Sequence, residues 1–237
     1  MNLFKLIWVI VVVPIICMIF FLEMLISALL LPLNMNKGAL NFSITRIFLR
    51  IIYGLLGVTI HVEGLEHIPK DKAFILCANH SSMLDIGVIL MACNRPIFFI
   101  AKKELMWVPV LGKLMYLQGH YFIHRKNRVK AYETLDKVKS NFSKNRSIMI
   151  FPEGTRSKTG AVSQFKKGAF KLALETHTPI LPCGIHGAFE ACPRGRLVPK
   201  NGHVQVRFGP LVYPEPDTNS AIDYANSVQS KVIDLMG

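Results

Sequence analysis

Residues 73 to 87, AFILCANHSSMLDIG, carry the chain from one apolar run through a polar turn into a second apolar run. The first run, 73 to 78, is short and continuous enough for a buried strand. On a regular helix His80 and Asp85 would be rotated by ~500°, which leaves them ~140° apart, so two helical residues at these positions do not meet. They meet if the chain leaves a strand at Asn79, turns through His80, and begins a helix near Ser81 or Ser82 with Asp85 in its first turn. Ser82-Met-Leu-Asp85 also matches a capping box, in which Ser82 takes an early amide and the aspartate reaches back. The alternative is chemical. Asp85 holds one imidazole nitrogen and fixes the tautomer, leaving the other nitrogen free to take a proton from a hydroxyl.

Working outward, similar apolar runs recur at 58 to 62 (VTIHV), 97 to 101 (IFFIA), 147 to 151 (SIMIF), 179 to 185 (PILPCGI) and 204 to 208 (VQVRF), each bounded by polar segments. Helical spacing lies between them. RVKAYETLDKVKSNF places Ala131, Leu135, Val138 and Phe142 on one face, and AIDYANSVQSKVIDLM does the same for Ile222, Ala225, Val228 and Val232. Alternating strands and helices predict an α/β fold with a mixed, largely parallel central sheet flanked by helices. The stretch from Ala191 to Gly202, rich in Pro, Gly, Lys and Arg, reads as a surface loop.

The N-terminus is different in kind. Hydrophobic residues make up 51% of the 237, and residues 6 to 22, LIWVIVVVPIICMIFFL, contain no charge; after Glu23 the apolar run continues to Leu33. A straight helix over 6 to 33 would reach ~42 Å, against a hydrocarbon core ~30 Å thick. A tilted span fits this length, and so does a bent pair of helices in one leaflet, with Pro14, Glu23 and Pro32 as the break points. The run passes Ser27-Ala28 without an A-x-A cleavage site. NFSITRIFLRIIYGLLGVTI at 41 to 60 sets Arg46 and Arg50 four apart among apolar neighbours, as on an interfacial helix or a core helix. The expected division is an N-terminal anchor and interfacial helix at 1–56 and a folded α/β domain at 57–237. With Lys37, Arg46 and Arg50 following the apolar run, the domain is expected on the cytoplasmic face of a membrane.

Formal net charge is +13; residues 1 to 60 hold four lysines and arginines against one glutamate, so ten of the positive charges belong to the remainder. A basic body behind an anchor points to anionic headgroups or phosphorylated substrates. No zinc-finger spacing and no aromatic RNP-like run accompanies the charge, so no nucleic-acid partner is expected. Five cysteines without C-x-x-C spacing indicate neither a disulfide framework nor a zinc site, and the remaining histidines have no metal-ligand spacing. No metal and no cofactor are expected.

The second informative stretch is IMIFPEGTRSKTG, residues 148 to 160. A strand ends at Phe151, and Pro152 and Gly154 turn tightly. Glu153, Thr155, Arg156 and Ser157 are then displayed at a sheet edge where ligands usually bind. Arg156 offers a planar fork suited to phosphate, and Gly154 permits close backbone approach.

These stretches carry a resemblance. NHSSMLD at 79 to 85 is similar to the N-H-x4-D motif of the glycerolipid acyltransferases, and FPEGTRS at 151 to 157 to their F-P-E-G-T-R-S block. Between them GHYFIHR at 119 to 125 resembles the family's G-x-x-F-I-x-R block, and ILPCGI at 180 to 185 its final apolar-Pro block. The N-terminus suits the lysophosphatidate acyltransferase branch. The resemblance implies transfer of an acyl chain from acyl-CoA or acyl-carrier protein, as co-substrate, to the free hydroxyl of 1-acylglycerol 3-phosphate (lysophosphatidate), giving phosphatidate at a lipid bilayer. It makes His80 the base and Asp85 its orienter, with Arg125, Glu153, Gly154, Thr155 and Arg156 around the phosphate-bearing acceptor. Lys166 and Gly168 in QFKKGAF are further candidates for that anionic site.

Three rivals follow from the residues. The same chemistry could serve another lysolipid or a polyol-phosphate acceptor. Cys77, three residues before His80, could form a thiol acyl-enzyme, although its strand position implies an inert buried thiol. A non-catalytic basic membrane scaffold would explain charge and anchor but gives the spacing of His80 and Asp85 no task.

Overall fold

The computed structural model describes residues 8–30, 39–124, 127–142, 145–196, 198–214 and 220–237. Seven strands form one sheet: β1 (Val58–Glu63), β2 (Ile75–Ala78), β3 (Ile97–Lys102), β4 (Tyr121–Ile123), β5 (Ser147–Ile150), β6 (Ile180–His186) and β7 (Gly202–Phe208), in the order β1-β7-β6-β2-β5-β3-β4. Every pairing is parallel except β6 with β7. The sheet is therefore mixed and largely parallel, as the alternation of runs predicts. β2 lies at its centre, and all four of its residues are fully buried, which is why its sequence is apolar without alternation.

Successive β2 side chains point to opposite faces and enter two cores. Leu76 and Ala78 join Leu181, Cys183 and Val206 beneath α2 (Ala39–Leu55) and α3 (Asp85–Ala92), which contribute Leu49, Ile52, Tyr53, Val88 and Ile89. Ile75 and Cys77 join Ile148 and Ile180 beneath α5 (Arg128–Phe142), α6 (Gly168–Thr176) and α8 (Ala221–Met236), which contribute Val138, Phe170, Ala173, Tyr224, Val228 and Val232. On α8 the buried face holds Tyr224, Ala225, Val228 and Val232, whereas Ile222 is exposed. The expected stripe is thus turned slightly, because Tyr224 donates its hydroxyl to the Val212 carbonyl at 2.8 Å and takes the inner position.

Several short elements escape the sequence reading, α6 among them. β4 has three half-buried residues, too few for a period to show. α4 (Leu111–Leu117) follows a short 3-10 turn at Lys103–Trp107, and Gly112 packs where a Cβ would come within 2.2 Å of the Met106 carbonyl oxygen. A single helical turn, α7 (Ala188–Ala191), precedes the basic loop.

At the N-terminus α1 (Val13–Leu29) runs unbroken through Glu23, after a π-helical turn at Trp8–Val12. Pro14 stands in its first turn, where a missing amide costs little. Pro32 and Lys37 lie outside the described residues. Ile10–Leu29 is long and apolar enough to cross a membrane by length and composition, and Met18, Phe21, Leu22, Leu25 and Leu29 are exposed. α1 packs against α2 and α4, and α2 packs against α3 and β1.

Candidate active site

The C-terminal end of β2 delivers the histidine turn. Past the last β2–β6 pair, Asn79 continues the ladder with its side chain: Nδ2 donates to the Ile185 carbonyl and Oδ1 accepts the Ile185 amide, both at 2.8 Å. That double bond fixes where the chain leaves the sheet. The helix begins at Asp85, not at Ser81 or Ser82, so residues 81 to 84 form a turn across which the carboxylate can reach back.

His80 and Asp85 meet. Nδ1 of His80 lies 2.8 Å from Asp85 Oδ2, and the same oxygen accepts the Ser81 and Ser82 amides at 2.8 and 2.9 Å. Cap and orienter are therefore one oxygen. Ser82 departs from the capping-box pattern, since its Oγ accepts the Leu84 amide at 3.2 Å and donates to the Cys192 carbonyl at 2.7 Å. Asp85 is fully buried, and its fixed acceptor makes Nδ1 the protonated nitrogen of a neutral imidazole, which leaves the lone pair on Nε2. A ring poised in this way can accept a proton from a bound hydroxyl.

The turn after β5 closes on the histidine from the other side. The His80 amide donates to Glu153 Oε1 at 2.6 Å, the Ser157 amide donates to the His80 carbonyl at 2.8 Å, and the imidazole stacks on Phe151 with centroids 3.9 Å apart and an interplanar angle of 13°. Glu153 is buried, and its second oxygen accepts the Ser163 amide at 2.8 Å, so both oxygens are committed to peptide groups. Gly154 has φ +74°, a left-handed conformation that favours glycine, and a Cβ there would fall 2.7 Å from Lys166 Nζ. Thr155 is exposed and Arg156 half-buried, with no ion-pair partner for Arg156 among the described residues. Lys166, whose amide donates to the Pro152 carbonyl at 3.0 Å, and Gly168 line a groove of about 210 Å³ beside Phe151 and Pro152. Gly168 has open space where a Cβ would stand, so packing does not require glycine there. Arg125 lies outside the described residues.

Two features of the site were not assigned from sequence. One is Asn79, which the N-H-x4-D resemblance included without giving it a role. The other is Tyr53 on α2, whose hydroxyl donates to the Leu84 carbonyl at 2.5 Å and ties that helix to the turn. Gly87 makes the approach feasible, since a Cβ there would lie 2.4 Å from the Tyr53 oxygen. Cys77 is fully buried, and burial pushes its thiol well above the ordinary range. Beside the turn, an apolar cavity of about 320 Å³ opens between α1, α2, α3 and α4, with Met83, Leu84 and Tyr53 at the histidine end.

Comparison with known proteins gives one consistent result. A family model described as Acyltransferase matches residues 59–186. The 1-acyl-sn-glycerol-3-phosphate acyltransferase of Saccharomyces cerevisiae is 34% identical over 215 residues, covering 89% of this chain and 71% of that protein. The enzyme of the same name from Cocos nucifera is 34% identical over 187 residues, 78% of this chain; the chain spans 60% of that relative's length. The crystal structure of the 1-acyl-sn-glycerophosphate acyltransferase PlsC from Thermotoga maritima aligns with a TM-score of 0.73 at 26% identity, covering 91% of this chain and 92% of that one.

Proposed function

The chain belongs to the acyltransferase family, and from that premise we propose that it acylates the free 2-hydroxyl of 1-acylglycerol 3-phosphate, forming phosphatidate in phospholipid biosynthesis. The donor is an acyl thioester of coenzyme A or of acyl-carrier protein. The observation that carries this reading is the 2.8 Å contact between His80 Nδ1 and Asp85 Oδ2 at the exit of the central strand.

In this mechanism Nε2 of His80 takes the proton of the acceptor hydroxyl as its oxygen attacks the thioester carbonyl carbon. The tetrahedral intermediate collapses with cleavage of the C–S bond, and the departing sulfur receives the proton from Nε2, so ester and free thiol leave together. General-base action of this kind contributes roughly 10²- to 10⁴-fold, adequate for a carbonyl already activated as a thioester. Asp85 orients the ring and stabilises the imidazolium. Arg156, with Gly154, Thr155 and Lys166 beside it, receives the acceptor phosphate, and we place Arg125 and Gly168 at the same anionic site. Glu153 acts as a positioning residue: it ties the backbone of His80 to the turn that carries Arg156. Cys77 takes no covalent part, because a buried thiol with a raised pKa is a poor nucleophile. The apolar cavity holds the acyl chain of the donor, since Met83 and Leu84, from the turn between His80 and Asp85, are among the residues that line it.

Residues 1–56 serve as the membrane anchor and 57–237 as the catalytic unit; α2 gives one face to the core and leaves apolar residues such as Ile47, Ile51 and Leu55 exposed on the other. The catalytic unit faces the cytoplasm. The test is an assay of purified protein in detergent with labelled acyl-CoA or acyl-carrier protein and a panel of lysolipids and glycerol 3-phosphate. Labelled phosphatidate from lysophosphatidate alone is the expected result; preference for a different acceptor would refute the substrate assignment.

A further inference from the structure

The basic loop after α7 borders the histidine turn. Ser82, in the turn between His80 and Asp85, pairs with Pro193 in an antiparallel bridge, and its Oγ donates to the Cys192 carbonyl at 2.7 Å. Beyond that point the loop folds tightly on itself. The Cys192 thiol donates to the Arg196 carbonyl at 3.3 Å, the Arg196 amide to the Pro193 carbonyl at 3.1 Å, and Arg196 Nε to the Val198 carbonyl at 2.7 Å, which holds Arg196 half-buried. The turn that carries Arg156 abuts the same region: the Ser157 amide bonds the His80 carbonyl, and a Cβ at Gly160 would come within 3.0 Å of the Phe189 ring on α7. Two loops, each with a half-buried arginine, are thus pinned to one turn.

Both arginines act on one sulfur. Burial raises the Cys192 thiol above its ordinary range, the positive charges of Arg196 and Arg156 oppose that rise, and Asp85 adds to it. The two guanidiniums therefore stand within electrostatic reach of a single side chain beside the histidine turn. Neither has an ion-pair partner among the described residues. The neighbouring carboxylates are already engaged, Asp85 Oδ2 with His80 and two amides, and Glu153 with two amides. Residues 191 to 202 add Arg194 and Lys200 and contain no acid. Like charges gathered in this way repel, and an anion bound between them turns the repulsion into attraction. The bond from Nε to Val198 gives Arg196 a task in the loop, but it does not balance the charge.

We propose that Arg196 is a specificity-determining binding residue that joins Arg156 in holding the acceptor's phosphate and selects a phosphomonoester over a phosphodiester headgroup. The inference rests on the acyl-transfer reading above and adds a residue and a charge requirement to its acceptor site. A phosphomonoester carries a charge of about −1.5 to −2 near neutral pH and three terminal acceptor oxygens, whereas a phosphodiester has a single charge and two such oxygens. Two guanidiniums match the first in charge and in planar donors; one alone would serve either. The occupant is the acceptor because its phosphate is separated from the carbon bearing the attacking hydroxyl only by C3 and one ester oxygen, so it stays beside the histidine turn to which both loops are pinned. In the donor, the whole pantetheine arm lies between the thioester and the nearest phosphate.

The experiment measures kcat and KM for the full-length protein and for Arg196→Gln, with lysophosphatidate and with its methyl phosphodiester as acceptors at saturating donor. The diester is followed as a substrate or, where it is not turned over, as a competitive inhibitor; donor KM is measured at saturating lysophosphatidate. The expected result is an acceptor KM for lysophosphatidate raised roughly ten- to a hundredfold, with kcat and donor KM unchanged and the preference for monoester over diester reduced by a similar factor. Arg196→Lys, which keeps the charge but loses the planar fork, is expected to fall between the two, and it carries the same comparison should Arg196→Gln fail to fold. An unaltered acceptor KM overturns the proposal, as does an equal loss for monoester and diester, or a rise confined to the donor KM, which would put a donor phosphate at this arginine. Absence of transfer to lysophosphatidate by the unaltered protein would instead count against the acyl-transfer reading itself.

Discussion

Arg156 is half-buried one residue before Ser157, whose amide bonds the His80 carbonyl, so the turn that carries the arginine is tied to the backbone of the base. Arg156→Ala is expected to raise the acceptor KM roughly ten- to a hundredfold, with kcat changed far less, as for loss of uniform phosphate binding. A drop in kcat at unchanged KM would assign the residue to the transition state instead. Cys77 is the opposite case, a residue near the histidine in sequence but sealed in the core opposite α2 and α3. Cys77→Ala is expected to retain turnover, and intact-mass measurement during the reaction should show no acylated protein; an adduct on Cys77 would establish a covalent route. At this scale the sequence was legible where one residue does one job. It was ambiguous at Asp85, where cap and orienter are the same oxygen, and at Glu153, whose acidic side chain gave no sign that two peptide amides would occupy it.

At the scale of elements, the site depends on how α2 docks on the turn before α3. Gly87 leaves room for the Tyr53 hydroxyl, and the added methyl of Gly87→Ala would meet that oxygen at 2.4 Å. The expected cost is about 1–3 kcal/mol of overpacking strain, seen as a Tm lower by ~2–10 °C, together with reduced turnover as the Leu84 turn shifts. An unchanged Tm with full activity would show that α2 docks without this contact. The central strands and the two long helices α5 and α8 could be read from sequence because each repeats a period over enough residues. β4 and α4 could not. Three residues carry no period, and α4 owes its place to Gly112 packing on the preceding turn, a contact between segments that no local pattern records. The hydrogen bonds that Glu23 Oε1 on α1 accepts from Thr45 on α2 and from Gln118 at the end of α4 were equally hidden, since their members come from separate elements.

The whole molecule joins an apolar N-terminal helix to a basic α/β body, and the union is structural: α1 walls the cavity that opens beside the histidine. A catalytic unit on the cytoplasmic face should be cleaved by protease added to inverted membrane vesicles and protected in right-side-out ones; the reverse pattern would contradict the orientation. In the proposed reaction, chemistry on a lipid acceptor would then take place where the proposed anchor holds the site. The decisive measurement is single-turnover transfer of labelled acyl chains from the thioester donor to lysophosphatidate by His80→Ala, with its fold checked by circular dichroism and thermal melting. A folded variant whose rate falls by roughly 10²- to 10⁴-fold is the expected outcome, and a folded variant that forms phosphatidate at the unaltered rate would contradict the assignment of His80 as the base.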